Sequence, residues 1–360
     1  MYDWVDANLR FLNKTEAIPG YGSPSITAVD GTTAMDQDEG YLFLFNAGPL
    51  PRTAILHVDE MIGLSNASKG GSWLVKELYP SPTPTPIAVW NHGDTVSLTV
   101  GGTQVRVLEA KRLQKSTLRN DVLALNLSYS GASISGDVLR LVNVTSLAGT
   151  EVQALFAARV KPSSVEIDGT KIPLSAPFAA CKDIGLHDWF CASAQLRFAG
   201  TAIAWMQQAT DTLPPPDFAG GWFNSTFTIS SAILAQLERS QAEYPVKWED
   251  ADMDATWLAP NRLLLYPYIV HPLAGMKPIE AWVDGKPLPM LPAYNSRGNH
   301  ESKGCFLGFY ANLTGAGIAV DTPHSLALHI DLNALPKPAG SFLGVFFQNT
   351  VNEYSSLIAL

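Results

Sequence analysis

The densest group of acidic residues runs from Glu249 to Asp254. Within it, Asp250, Asp252 and Asp254 alternate, and Ca²⁺ prefers several such hard oxygen ligands within one short turn. The run lacks both the glycine that makes the sharp bend of a calcium loop and the closing glutamate. Two interpretations stay open: a structural Ca²⁺ site, or the start of a helix or turn where acidic residues suit the dipole.

A second acidic group, Asp36, Asp38 and Glu39, is relevant to hydrolysis. Glycoside hydrolysis needs two carboxylates that face each other across a cleft. These three residues instead flank the start of a predicted strand, which favours a solvated turn. The His187-Asp188-Trp189 cluster has no metal-ligand spacing, and the sequence has no Gly-X-Ser-X-Gly elbow and no phosphate-binding glycine loop. We therefore predict no catalytic residue, and whether the protein is an enzyme stays open.

Aromatic side chains beside polar groups are what carbohydrate binding requires, and nine tryptophans are present. The polar stretch 294–303 lies between two predicted strands, and long loops of this kind often carry function. The alternative for each tryptophan is packing in a core. The candidate ligand-binding residues are Tyr294, Asn295, Arg297, His300, Trp257 and Trp222.

Composition excludes several classes of protein. The net charge is −9, with no cluster of Lys and Arg, which argues against a nucleic-acid partner. Hydrophobic residues make up 46% of the chain and charged residues 16%, which is too apolar for a disordered protein. No apolar run approaches the ~20 residues of a membrane helix, so we expect no membrane span.

Glycosylation triplets and cysteines point to a secreted, extracellular protein. The triplets suggest a secreted eukaryotic glycoprotein, although Thr-rich β-structure alone would also explain part of their number. They begin at Asn13, Asn66, Asn126, Asn143, Asn224 and Asn312. Cys181 and Cys191 could close a small disulfide loop and leave Cys305 as an odd thiol, or all three could be reduced and buried.

The elements that would position these residues are short strands. Twenty-eight glycines and 25 prolines without a collagen-like period predict many turns and an all-β protein. Alternating Val96, Leu98 and Val100, then Gly101-Gly102 and a second alternating run, predict a β-hairpin. Strand, Asp-Gly turn and return strand recur at 165–174 and at 279–290, as two further hairpins.

Two helices interrupt this pattern. Residues 2–14 have fair helical periodicity. A clear amphipathic helix follows Ser230 or Ser231, either of which can cap it, and Pro245 would end it. The predicted organisation is a short N-terminal helix at 1–20, a β-sandwich at 21–115, a second β-rich module at 116–221, and a jelly roll with a leading helix at 222–360.

The first module resembles the β-sandwich that follows the (β/α)8 barrel in many glycoside hydrolases. The residues that carry this resemblance are the run 38–46, Arg52-Thr53-Ala54, Gly63-Leu64 and the closing run 105–109. Residues 2–14 would then be the last barrel helix. Residues 136–143, 149–151 and 165–169 are similar to another β-module of such enzymes.

The final region, from Trp257 to Gln348, is similar to the galactose-binding-like jelly roll, with Asp284-Gly285 where an Asn-Gly turn is common. This resemblance implies a structural calcium. The barrel that carries the family's catalytic carboxylates would need ~200 residues or more, which do not precede the first sandwich. No catalytic residue is therefore carried over.

We expect a non-catalytic array of two or three β-sandwich or jelly-roll modules from a carbohydrate-active extracellular protein. It would contact glycan or support a catalytic domain encoded upstream. One alternative is a structural or self-associating extracellular glycoprotein, which exposed apolar patches or unpaired edge strands would favour. The other is a glycoside hydrolase with its active site between modules, which two convergent carboxylates would favour.

Overall fold

The computed structural model describes residues 2–21, 27–65, 69–81, 84–113, 121–181, 186, 188–200, 206–243, 262–272, 277, 279–294, 306–331, 340–349 and 357–360. Helix α1 spans Tyr2–Leu12, helix α2 spans Ser231–Glu243, and a short 3-10 helix spans Glu60–Ile62. Among the described residues, no helix is long and apolar enough to cross a bilayer. Every other regular element in these described ranges, apart from turns, is a β-strand, as the composition predicted.

Strands β1 to β8 are Glu16–Ala17, Asp30–Asp36, Glu39–Phe45, Arg52–His57, Ser72–Tyr79, Thr85–Asn91, Thr95–Val100 and Val105–Arg112. Strands β9 to β17 are Val122–Leu125, Gly131–Ser135, Val138–Val142, Thr145–Leu147, Glu151–Ala158, Ser164–Ile167, Thr170–Ile172, Ala176–Ala180 and Phe190–Arg197. Strands β18 to β27 are Met206–Gln208, Gly221–Thr228, Leu263–Ile269, Glu280–Val283, Lys286–Leu288, Leu291–Tyr294, Phe306–Asn312, Pro323–Ile330, Phe342–Asn349 and Leu357–Ala359.

The chain divides into two compact units. Unit 1 comprises residues 1–202 and 356–360, and unit 2 comprises residues 203–355. Strand β18 already pairs with β26 in unit 2, upstream of the predicted module boundary at 221/222. Strand β27 returns to unit 1 and pairs antiparallel with β12. The predicted division into a short N-terminal helix and three modules stays a prediction.

The first sandwich of unit 1 packs the sheet β1-β2-β3-β8-β5-β6 against the pair β4-β7. Alternation puts Leu42, Leu44 and Trp73 of the larger sheet into one core with Ala54 and Leu56 of the pair. The predicted hairpin across Gly101-Gly102 is wrong, because β7 pairs with β4 while β8 pairs with β3 and β5. The two alternating runs lie in opposite sheets, and the glycines connect them.

Helix α1 packs on the outside of this sandwich. The Phe11 ring meets Tyr41 edge-on at 5.4 Å between centroids, and the Tyr41 hydroxyl donates to Asn8 Oδ1 at 2.6 Å. Trp4 contacts the same tyrosine at 5.2 Å. Tyr41 therefore holds α1 on the sandwich. The helix itself was predicted by the periodicity over residues 2–14.

The second sandwich of unit 1 packs β10-β11-β14-β15 against β16-β17-β13-β9. Its core brings Leu139 and Val165 of one sheet against Phe156 and Ala194 of the other. A smaller cluster, which includes Val89, Leu125 and Trp189, joins the two sandwiches of this unit.

Unit 2 is also a two-sheet sandwich, with β18-β26-β20-β24-β23 facing β19-β25-β21-β22. Phe227, Leu328 and Val345 lie in its core, and Ile233 and Leu237 bury one face of α2 there. Ser230 caps this helix, since its Oγ accepts from the Ala232 amide at 3.2 Å. The all-β sandwich prediction is confirmed, whereas the finer galactose-binding-like assignment stays a prediction.

Both predicted Asp-Gly hairpins form, as β14–β15 and β21–β22. Asp168 has φ 49° and Asp284 has φ 51°, the left-handed conformation that a two-residue turn of this kind needs. Each aspartate also accepts from a backbone amide outside its hairpin. Asp168 Oδ1 accepts from Asn143 N, directly after β11, at 2.7 Å, and Asp284 Oδ1 accepts from Ser325 N of β25 at 2.9 Å. However, β14 is parallel to β11 while β21 is antiparallel to β25, so the likeness ends at the hairpin.

Candidate carbohydrate-binding surface

An aromatic surface lies on the solvent side of the sheet β19-β25-β21-β22 in unit 2. Successive side chains of a strand point to opposite faces, so Phe223 and Leu328 enter the core while Trp222 and His329 point outward. Trp222 is 58% exposed. On β21, Trp282 occupies the same outer face, between the buried Ala281 and Val283.

The three rings of this surface are in mutual contact through Trp222. Its ring centroid lies 5.2 Å from that of Trp282, with 39° between the planes, and 5.0 Å from the His329 ring. Trp222 and His329 are direct cross-strand neighbours in the register. We call Trp222, Trp282 and His329 the aromatic surface.

Polar groups border the aromatic surface. Glu280 is the cross-strand neighbour of His329 on its other side, and its Oε2 lies 3.7 Å from His329 Nδ1. Asn224 is exposed two residues after Trp222, on the same face. Aromatic faces can take the apolar C–H side of a sugar ring, while carboxylate, imidazole and amide groups can bond its hydroxyls. The arrangement therefore has the chemical components that a carbohydrate site needs.

Of the candidate ligand-binding residues, the structure places Trp222 in this surface. Tyr294 ends β23, but its side chain is outside the described part of the molecule. The other candidates, Asn295, Arg297, His300 and Trp257, also lie outside the described residues. Sequence reasoning missed Trp282 and His329 because they join Trp222 only through pairing between distant strands.

The predicted metal ligands Asp250, Asp252 and Asp254 lie outside the described residues too. Within the described ranges, no group of three or more His, Cys, Asp or Glu residues is arranged to hold a metal ion. The calcium site stays a prediction.

The acidic group at the β2–β3 turn in unit 1 is paired with cations. Asp36 pairs with Lys14, Glu39 pairs with Arg10 and Lys111, and Asp38 pairs with Arg112 at 2.7 Å. Apart from Lys14, these groups line a cavity of about 310 Å³. Because Arg10 belongs to α1 and Lys14 lies two residues after its end, the ion pairs link this helix to the β2–β3 turn.

A larger cleft in unit 1, of about 380 Å³, is lined by Glu77 and Glu151 among other polar residues. Glu77 is bonded on both oxygens, by Arg106 at 2.6 Å and by the Ser81 hydroxyl at 2.7 Å. Glu151 lies near Arg197, at 3.6 Å, and its side chain is 59% exposed. Neighbouring side chains therefore hold both Glu77 oxygens in place, and the alternative of an active site between modules stays a prediction.

The structure also places the cysteines and most of the predicted glycosylation sites. Cys181 and Cys191 are disulfide-bonded, with Cα atoms 5.1 Å apart. Cys305 lies outside the described residues. The glycosylation triplets are exposed at Asn13, Asn126, Asn143 and Asn224, half-buried at Asn312, and outside the described residues at Asn66.

No family model matches the chain, and no curated protein matches it. Among solved structures, it is similar to a β-porphyranase of glycoside hydrolase family 86 from the human gut bacterium Bacteroides plebeius, at 9% identity and a TM-score of 0.22, over 92% of this chain and 38% of that one. It is also similar to the wild-type enzyme BuGH86 in complex with neoagarooctaose, at 11% identity and a TM-score of 0.18, over 89% of this chain and 33% of that one. The chain thus spans well under half of either solved chain, and likeness at this level assigns no family.

Proposed function

We propose that the chain is a non-catalytic β-module array of a carbohydrate-active extracellular protein, and that it binds glycan on the aromatic surface of unit 2. The observation that carries this proposal is Trp222, which holds 58% of its surface in solvent and contacts two other rings. Exposed apolar surface that polar groups border is typical of an interaction site. The bordering Glu280 and Asn224 favour a ligand that is apolar on one face and rich in hydroxyls at its edge.

The test is a glycan-array screen on the purified chain, produced without attached glycans. We expect specific binding by the wild type and at least tenfold weaker binding by Trp222→Ala and Trp282→Ala, since tenfold corresponds to about 1.4 kcal/mol. Trp222→Phe should retain part of the binding because it keeps an aromatic face. Ile55→Ala is the matched control, because Ile55 is 53% exposed and belongs to unit 1.

Equal binding by Trp222→Ala and by the wild type would contradict this location of the site. No binding to any glycan would contradict the carbohydrate-binding proposal and favour the alternative of a structural role. We also propose that Asp250, Asp252 and Asp254 hold a structural Ca²⁺. The same screen in the presence of a calcium chelator tests this. Loss of binding on chelation, restored by added calcium, is the supporting result.

A further inference from the structure

Asn224 lies on the same strand face as Trp222 and begins the triplet Asn224-Ser225-Thr226. Side chains two residues apart on a strand point to the same side, with Cα atoms about 7 Å apart. Asn224 is exposed, and its side chain has no hydrogen-bond partner among the described residues. Within the described part of the chain, its side-chain amide is thus unbonded, and it lies on the same face as the exposed indole.

The register shows what lies beside Asn224 across the sheet. Its direct neighbour on β25 is Ala327, and the neighbour of Ala327 on the far side is Trp282. Only a methyl group therefore stands between Asn224 and the second indole, at a Cα separation of about 10 Å for two strand spacings. A sugar attached to Asn224 would lie within reach of both tryptophans.

The other described triplets offer different surroundings. Asn126 Nδ2 donates to the Gln153 carbonyl at 3.1 Å, and Asn143 Nδ2 donates to Ser130 Oγ at 2.8 Å. Asn312 is half-buried and accepts from the Thr314 amide at 3.0 Å. Asn13 is exposed directly after α1. Asn224 is the one among these five that combines an exposed, unbonded amide with two tryptophans on its own face.

We propose that a glycan attached to Asn224 packs over Trp222 and Trp282, so that glycosylation controls access of any other carbohydrate to the aromatic surface. In the covalent step, the Asn224 amide nitrogen bonds to the anomeric carbon of a diphosphate-linked oligosaccharide. The bond from that carbon to the donor's diphosphate breaks, the diphosphate leaves and one amide proton is lost. The control of access rests on the proposed function, whereas the packing of the attached glycan does not.

The test is a double-mutant cycle on the full chain secreted from eukaryotic cells, with occupancy measured by peptide mass spectrometry. The variants are Asn224→Gln, Trp222→Ala and both together. We expect Asn224 to be glycosylated, and Trp222→Ala to lower the melting temperature several degrees more in the glycosylated chain than in the Asn224→Gln background. The same cycle with Asn13→Gln should be additive, because Asn13 lies in unit 1.

An unmodified Asn224 in the secreted chain overturns the proposal, and so does an additive cycle at an occupied Asn224. The second readout is glycan binding, which should be at least tenfold stronger for Asn224→Gln than for the glycosylated wild type. Equal binding by both overturns the control of access. A non-additive cycle together with no binding by Asn224→Gln contradicts the proposed function and leaves the packing of the attached glycan standing.

Discussion

Both ring nitrogens of His324 face hydrogen-bond acceptors. Nδ1 lies 2.7 Å from Asp284 Oδ2, and Nε2 lies 2.8 Å from the Ala319 carbonyl. Because carboxylate and carbonyl oxygens only accept, both nitrogens can bond only when the ring is protonated. The hydrogen bond to Asp284 raises the pKa of His324 against the opposing effect of desolvation, and the same bond lowers the pKa of the Asp284 carboxyl.

This pair predicts a pH dependence for unit 2. A raised folded pKa of His324 gives stability that is complete below its unfolded value of about 6.5 and is lost as the pH rises through the folded pKa. The lowered pKa of Asp284 gives stability that is present above about 4 and is lost as the pH falls. We therefore expect the free energy of unfolding of unit 2 to be highest between about pH 4 and about pH 6.5, and to decrease below and above this range.

Urea unfolding followed by tryptophan fluorescence at a series of pH values measures the effect. Asp284→Asn should lower stability inside the window and flatten the fall above pH ~6.5, since the raised pKa depends on the carboxylate. His57→Gln in unit 1 should leave the profile of unit 2 unchanged, because His57 is exposed. An unaltered slope in Asp284→Asn would show that His324 is not the titrating group.

At the scale of elements, the crossing from β7 to β8 depends on a close backbone approach. A Cβ on Gly102 would lie 2.0 Å from the Pro49 carbonyl oxygen, which is backbone and cannot rotate away. At the neighbouring Gly101 the nearest atom is Oε1 of the flexible Gln104 side chain, at 2.6 Å. The tight position is thus specific to the second glycine.

Gly102→Ala should destabilise unit 1 by about 1–3 kcal/mol, since the backbone must shift to admit the methyl group. Gly101→Ala is the matched control and should cost less, because the glutamine side chain can move. Chemical denaturation of both variants tests this, and equal losses would mean that the contact with Pro49 does not constrain the turn.

At the scale of the whole molecule, unit 1 contains two separate stretches of chain. Its strand β27 pairs with β12 through Thr145↔Ala359, Ser146↔Ile358 and Leu147↔Leu357. All of unit 2 is therefore inserted between two parts of unit 1. The stability of unit 1 should then depend on β27, a segment that follows unit 2 in sequence.

Ile358→Pro tests this dependence, since proline cannot donate to the ladder and disfavours a paired strand. We expect unit 1 to lose about 1–2 kcal/mol and unit 2 to keep its stability. Ile358→Val preserves the backbone donor and serves as the control. Calorimetry that shows no loss in unit 1 would indicate that the β12–β27 pairing contributes nothing.

Local patterns in the sequence predicted what depends on neighbouring residues. The alternating Val96, Leu98 and Val100 lie in one strand, Thr95–Val100, and both Asp-Gly turns are in place. Local patterns could not predict contacts between residues distant in sequence. The predicted hairpin across Gly101-Gly102 was wrong for this reason, and the contact of Asp284 with a histidine 40 residues away was not predicted. Likewise Trp222 was a candidate by type, while its partner Trp282 follows only from the register. Alternation along a strand shows which side a residue faces, but not which strand lies beside it.

The pairing of β27 with β12 also affects the order of folding during synthesis, because β27 is made after unit 2. A ribosome adds ~5–20 residues per second, so the roughly 150 residues of unit 2 take about eight to thirty seconds to make. During that interval β12 has no β27 to pair with, while unit 2 can already fold. A nascent chain caught in this window would expose the unpaired edge of β12, which is where a chaperone or a second nascent chain would bind first.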